Sequence, residues 1–233
     1  MAGFTRKQLK SKDAFVTEVG GQLEFFAEHR NQVIIGAALA VAGVLGVISY
    51  NQWQGRREIG ARAALNSAVR MFHGSVTTDN RPGFVTYTTS GERQRRSSEA
   101  LQEVIDEYGG RVEAAGAAYY LALLDIEQDK MDEAKGRLKI AIDDADENYQ
   151  SLARLSLADL LSRLGESSEA EAEYRALVDN PTRVVPATTA KLSLARHLAK
   201  TDVPAARTLL EELMAEPGPL SVAASATLRR LGG

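Results

Sequence analysis

Four short stretches decide the fold: 95-RRSSEALQEV-104, 129-DKMDEAKGRL-138, 165-GESSEAEAEY-174 and 201-TDVPAARTLL-210. Each sets a small residue, Ala100, Ala134, Ala170 or Ala206, just after a polar turn, and the intervals between those alanines are 34, 36 and 36 residues. Recurrence at a fixed period of this size marks a stacked-repeat protein, in which each unit buries its apolar face only against its neighbours. A second marker keeps step: LSLA occurs at Leu155–Ala158 and Leu192–Ala195, with the related LALL at Leu121–Leu124.

Outward from those turns, each unit reads as an apolar helix, a turn and a second helix. The pairs are Ala114–Glu127 with Glu133–Ile142, Ser151–Leu164 with Ser168–Val178, and Ala187–Ala199 with Pro204–Met214. The spacing puts Asp132, Ser167 and Asp202 at N-cap positions, Gly165 just past a helix end and Pro204 in a first turn. All six prolines fall outside the expected helix interiors. Strand-like alternation is almost absent from residues 56–233, so this part of the chain is expected to be helical throughout.

The pattern resembles tetratricopeptide repeats. Counting from the turn alanine, Leu121-Ala122 and Leu157-Ala158 match the Leu–small pair of the first helix. Leu138 and Tyr174 match the large residue of the second, Ala141 its later small residue, and Pro181 stands near the closing proline. The repeats are divergent: no tryptophan opens a unit, Asp125 and Leu161 replace the usual tyrosine, and the third turn is one residue shorter.

Upstream, Asn31 to Gly55 holds 25 residues without a charge, and Val33–Tyr50 (VIIGAALAVAGVLGVISY) is almost unbrokenly apolar. Eighteen residues of helix span roughly 27 Å, close to the hydrocarbon thickness of a bilayer. A transmembrane helix over 33–50 is the reading, with Tyr50 and Trp53 as interface anchors at one end and Phe25 and Phe26 near the other. A buried core helix is the first rival. A cleaved signal peptide is the second, but the stretch starts past residue 30, is too long, and is followed by SYNQWQG instead of a small-residue cleavage site. Four cations and no acid in the first 12 residues favour a cytoplasmic N-terminus for segment 1–32; Arg56, Arg57 and Arg62 crowd the opposite flank. Ala38, Ala42 and Gly46 form a small-residue row that suits either ordinary membrane packing or a lateral helix contact.

A basic N-terminus, one apolar span and a repeat array form a layout similar to the YfgM-type ancillary subunits of the SecYEG translocon, with 116-GAAYYLALLDIEQDKMDEA-134 the most similar local stretch. That resemblance implies a cytoplasmic N-terminus, a periplasmic helical domain at the inner membrane, translocon association and contact with periplasmic chaperones.

One segment breaks the helical rhythm. His73–Arg96 carries three glycines, a proline, five threonines and the β-prone run Phe84–Thr89, and reads as an insertion in the first repeat, between a helix at about Ile59–Phe72 and the helix of Ala100. A loop of this length is a mobile excursion, a small hairpin over one end of the array, or a partner-contacting element that carries Arg93, Arg95 and Arg96.

Composition narrows the chemistry. With 28 basic against 31 acidic residues in 233, the chain lacks the electrostatic footprint of a nucleic-acid binder. Absence of cysteine excludes disulfides, thiol nucleophiles and thiolate metal sites. His29, His73 and His197 are scattered, and no Walker A, HExxH, GxSxG or dinucleotide-binding pattern is present, so no enzyme, cofactor or metal is expected. The acidic run Asp143, Asp144, Asp146 and Glu147 lacks the alternate-position ligands and central glycine of a calcium loop and reads as a solvated repeat end.

What remains is recognition of protein partners, with self-association a further option. The fold expected is all-α: a transmembrane helix over 33–50, then a repeat solenoid over 56–233 with an insertion at about 73–96. By repeat position, Tyr119, Glu127, Asp159, Arg163, Arg196 and Lys200 line the groove of the array, and their mixed signs argue against one strongly charged ligand. The leading function is a docking platform near the translocon, linking exported chains to chaperones. The alternatives are an envelope-assembly or cell-division scaffold of the same anatomy, and a self-associating structural protein using the small-residue row and the apolar helix Leu220–Leu231.

Overall fold

The computed structural model describes residues 30–77, 82–215 and 218–232. It is all-α apart from two very short strands, and the chain divides into two compact units at Arg56/Arg57. The expected segment 1–32, with Phe25, Phe26 and His29, lies outside the described residues up to residue 29, as does Pro217.

Helix α1 runs Arg30–Phe72, 43 residues. Its N-terminal part is charge-free from Asn31 onward because the sequence is. An 18-residue window there has mean hydropathy 1.9 and none of it is buried. A core helix of a soluble domain would hide such a face; here Ile34, Ile35, Leu39, Val44 and Val47 all stand exposed. By length and composition this helix can cross a membrane.

From residue 57 on, α1 enters the repeat unit. The helices that follow are α2 (Ser90–Tyr108), α3 (Val112–Glu127), α4 (Met131–Asp144), α5 (Glu147–Leu164), α6 (Ser167–Asp179), α7 (Ala187–Thr201), α8 (Val203–Ala215) and α9 (Pro219–Leu231). The three expected pairs are α3/α4, α5/α6 and α7/α8, each within a few residues of its expected bounds. The 57–72 part of α1 with α2 makes the pair before them, and α9 packs on α7 and α8. Leu65 and Ala68 of α1 meet Leu101 and Val104 of α2 and Leu121 and Leu124 of α3 in one buried cluster. The central core joins α3 to α8 and is built largely from alanine: Ala122, Ala134, Ala141, Ala153, Ala158, Ala170 and Ala206 are fully inaccessible. Alanine at each crossing sets the short interaxial distance, while Leu138, Leu157, Leu160 and Leu198 fill the space between.

The turns explain where the helices begin. Asp146 caps α5, its carboxylate accepting from the backbone N–H groups of Asn148 (2.9 Å) and Tyr149 (3.2 Å). Asp202 accepts from Ala205 N–H at 3.1 Å, and Gly165 closes α5 with φ +81°, as expected. Asp132 and Ser167 are not caps: the helices start earlier, so that Lys130 and Glu166 hold those positions without a side-chain cap, and Asp132 and Ser167 fall inside the first turn.

The insertion is shorter than its composition suggests. Helix α2 begins at Ser90, which places Arg93, Arg95 and Arg96 on the helix instead of in the loop. Thr89 Oγ1 accepts from Glu92 N–H at 3.1 Å, and Glu92 accepts from Thr88 Oγ1 at 2.9 Å, so the sequence Thr89-Ser-Gly-Glu92 is a variant of the capping box. Within the loop, β1 (Ser75–Val76) pairs with β2 (Thr86–Tyr87) in parallel, not as the antiparallel hairpin considered above. The reason is Tyr87: its ring is buried and its hydroxyl donates to Met71 O at 3.1 Å, so β2 is aligned by the end of α1 before it runs into the α2 cap.

Candidate protein-binding groove

The first helices of successive pairs lie side by side: α3 on α5, α5 on α7, and α7 on α9. The second helices stand farther apart, although the Lys135 ammonium on α4 reaches both Glu166 carboxylate oxygens at 2.8 Å. Closer packing on one side curves the array, so α3, α5 and α7 line its concave face. The six residues expected there behave in three different ways.

Tyr119 is buried at 8 % exposure. Its ring lies 5.1 Å from that of Tyr120 and 5.9 Å from that of Tyr149 at the start of α5. Burial pushes its hydroxyl above the ordinary phenol range, with a hydrogen bond to Ser156 pulling the other way. It joins α3 to α5 and is not offered to a partner. Sequence reasoning passed over the rest of this cluster: Tyr120 meets Phe72 at 5.1 Å and Tyr149 at 5.7 Å, carrying ring contacts from α1 through α3 to α5. The adjacent tyrosines in the YY pair were its signal.

The two acids are occupied. Glu127 accepts from Arg93 Nη2 at 2.8 Å and from Gln94 Nε2 at 3.2 Å. Arg93 also donates to Phe72 O at 3.2 Å and lies over the Phe72 ring at 5.9 Å, so this arginine fastens α1, α2 and α3 together. Asp159 accepts from the Tyr174 hydroxyl at 2.5 Å across the α5/α6 pair. Desolvation, followed by that carboxylate, holds the Tyr174 hydroxyl well above its usual range, so Tyr174 keeps its proton.

The three cations are free. Arg163, Arg196 and Lys200 are exposed and meet no acid among the described residues. Their placement follows from His197, which is buried at the α5/α7 junction. Its Nδ1 lies 2.8 Å from Ser162 Oγ and its Nε2 3.1 Å from Ser167 O. Arg163 and Arg196 are the chain neighbours of that bonded pair, and Lys200 stands one helical turn beyond Arg196.

Tyr50 and Trp53 belong to the other unit. Both are exposed, with ring centroids 6.2 Å apart, and Gln54 Nε2 donates to the Tyr50 hydroxyl at 2.8 Å. Among the described residues no three His, Cys, Asp or Glu side chains gather as a metal site, and Asp146 of the acidic run is spent as a helix cap.

Comparison with known families agrees with this architecture. The sequence profile described as the tetratricopeptide repeat-like domain matches residues 24–179, from ahead of α1 through α6. Neither a curated protein nor a solved structure matches the chain. The match covers well over half of the sequence, and the chain belongs to the tetratricopeptide repeat-like domain family.

Proposed function

We propose that this protein is a single-pass scaffold of the bacterial inner membrane, its N-terminus cytoplasmic and its repeat domain periplasmic. In that place the concave face docks exported chains or periplasmic chaperones beside the SecYEG translocon. Repeat arrays of this kind are interaction modules, and the imidazole–hydroxyl pair beneath the groove, His197 with Ser162, is a buried contact that joins α5 to α7. The observation that carries the membrane part is the charge-free, wholly unburied stretch of α1 at hydropathy 1.9, joined in sequence to the array. Tyr50 and Trp53 serve as its interfacial anchors on this reading. The translocon assignment is supported by the layout and by the stretch Gly116–Ala134, which resemble the YfgM-type subunits.

Photo-cross-linking in living cells tests the docking face. A photoreactive residue at Arg163, on the concave face, is expected to yield discrete adducts that include translocon subunits or periplasmic chaperones. The same residue at Lys139, exposed on the outer helix α4, is expected to yield none of them. Equal adducts from both positions, or none from Arg163, contradict the proposal. Adducts confined to division or outer-membrane assembly factors contradict its translocon part.

A further inference from the structure

We propose that the apolar cleft between α2 and α4 is a second docking site, on the outer side of the array, for a basic segment of a partner protein that carries a large aliphatic or aromatic side chain. This goes beyond the scaffold reading, since it concerns the second helices and holds whatever occupies the concave face. Both α2 and α4 pack on α3, and α3 shows through between them. There Ala114, Ala115 and Ala118 form a floor too small-chained to fill the gap. Ile105 of α2 and Ile140 of α4 line its sides, around a space of about 280 Å³, and Ile140 is 49 % exposed.

The other gaps between second helices are built differently. Between α4 and α6 the Lys135 ammonium reaches across to Glu166, and the gap between α6 and α8 has Arg175, Asp179 and Thr208 in its lining. Only at α2/α4, among these three, is an apolar floor left open between apolar sides.

Charge around the cleft selects the occupant. Neither α2 nor α4 has a basic residue in its last turn, where the helix dipole favours one. Instead α2 ends with Asp106 and Glu107, and α4 with Asp143 and Asp144. Asp144 itself lines the cleft, and Asp106 accepts from Nε2 of the lining residue Gln102 at 2.9 Å. Three cations stand near. Arg137 is paired with the buried Asp125 at 3.2 Å, Arg57 donates to the Glu107 carbonyl at 3.0 Å, and Arg111 holds the N-cap position of α3. With Arg137 cancelled by Asp125, four carboxylates remain against two guanidinium groups, so the cleft lies in a negative field. A basic segment relieves the acidic helix ends, while one large apolar side chain covers the alanine floor and the exposed Ile140.

Fluorescence anisotropy with the full chain in non-ionic detergent tests this. The probe is a short, end-blocked, dye-labelled peptide of alternating Lys and Ser with one central Phe. Binding is expected to weaken with added salt and to fall by about 10-fold in I140N and again in D106N/D144N. It should stay unchanged in K139Q, because Lys139 lies four residues from Lys135, on the side of α4 that meets α6. These positions are at the surface, and unchanged helical circular dichroism shows that each variant is folded. The same peptide with Ser for Phe, or with Glu for Lys, should bind at least about 10-fold more weakly. Absence of binding overturns the inference, as does binding indifferent to I140N or to D106N/D144N, or equal affinity for the peptide without Phe. So does self-association without peptide that I140N abolishes: the occupant is then a second copy. Cross-links from Arg163 report the concave face separately, so failure of the peptide removes the outer cleft alone, and loss of those cross-links removes only the concave-face reading.

Discussion

Gly116 sits on α3 where three first helices meet, and it allows a quantitative test of how closely they pack. A Cβ built there would lie 3.1 Å from Cδ2 and Cε2 of the Tyr149 ring on α5, and 3.2 Å from Cδ2 of Leu65 on α1. Those contacts are too short by a few tenths of an ångström, yet both neighbours are side-chain ends that can yield. Replacing a helical glycine by alanine also returns about 0.5–1 kcal/mol of backbone entropy. The two effects are of similar size, so Gly116→Ala is expected to stay within about 1 kcal/mol of the parent. Isoleucine adds three further carbons with nowhere to go, and overpacking of that kind costs about 1–3 kcal/mol. The assay is urea unfolding of the full chain in non-ionic detergent, followed by far-ultraviolet circular dichroism. Trimming the obstacle with Tyr149→Ala should make Gly116→Ile less harmful than it is in the parent background, a coupling that independent sites do not have. An isoleucine tolerated as well as alanine, or no coupling to Tyr149, would refute the packing of α1, α3 and α5 described above.

Other expectations follow from single contacts. Tyr174→Phe removes the hydroxyl bound to Asp159 and should cost about 1 kcal/mol in the same unfolding assay, the exposed carboxylate recovering water in exchange. Asp146→Ala leaves two N–H groups of α5 without their cap and should cost about 1 kcal/mol, whereas Asp132→Ala, which removes no cap, should change stability by less than about 0.5 kcal/mol. Asp125 gives a pH test. Burial holds its carboxyl above the ordinary value, against the opposing fields of Arg137 and Lys130, so the fold favours its protonated form. A raised acid contributes stability while protonated, and that contribution is lost as pH climbs through the usual carboxylate value toward the raised one. Relative to Asp125→Asn, the parent should therefore lose stability as pH rises above about 4, read from urea midpoints across the titration. A parent that gains on the variant over that range would show that the Arg137 pair outweighs desolvation.

Much of this architecture is legible in the sequence because repeats announce themselves twice, through period and through the small residue each helix crossing demands. Ala134, Ala170 and Ala206 are fully buried for the reason that made them visible: nothing larger fits there. Helix starts were harder to read. At Asp146 and Asp202 a cap residue precedes a helix as chemistry prefers, but the cap positions of α4 and α6 are held by Lys130 and Glu166 without a side-chain cap, and at α4 the repeat turn, with Asp129 at φ +63°, sets the start. The start of α2 was legible in principle through Thr89-Ser-Gly-Glu92; the glycine and threonines around it masked the signal. The groove shows what spacing cannot give. Position along a repeat assigns Glu127 and Arg163 alike to the concave face, but only the fold reveals that Arg93, from a different pair of helices, neutralises one and that no acid among the described residues pairs with the other. Tyr119 failed as a groove residue for a related reason: Tyr120 and Tyr149 close over it.

The most direct test of the account is the topology of the full chain, read by a compartment-sensitive reporter fused after Gly233 together with extraction of membranes by alkaline carbonate. A chain that stays in the carbonate-resistant membrane fraction, with its reporter periplasmic and the repeat domain open to protease in spheroplasts, is the predicted result. A chain released by carbonate, or one whose repeat domain is protected until the inner membrane is broken, would contradict it.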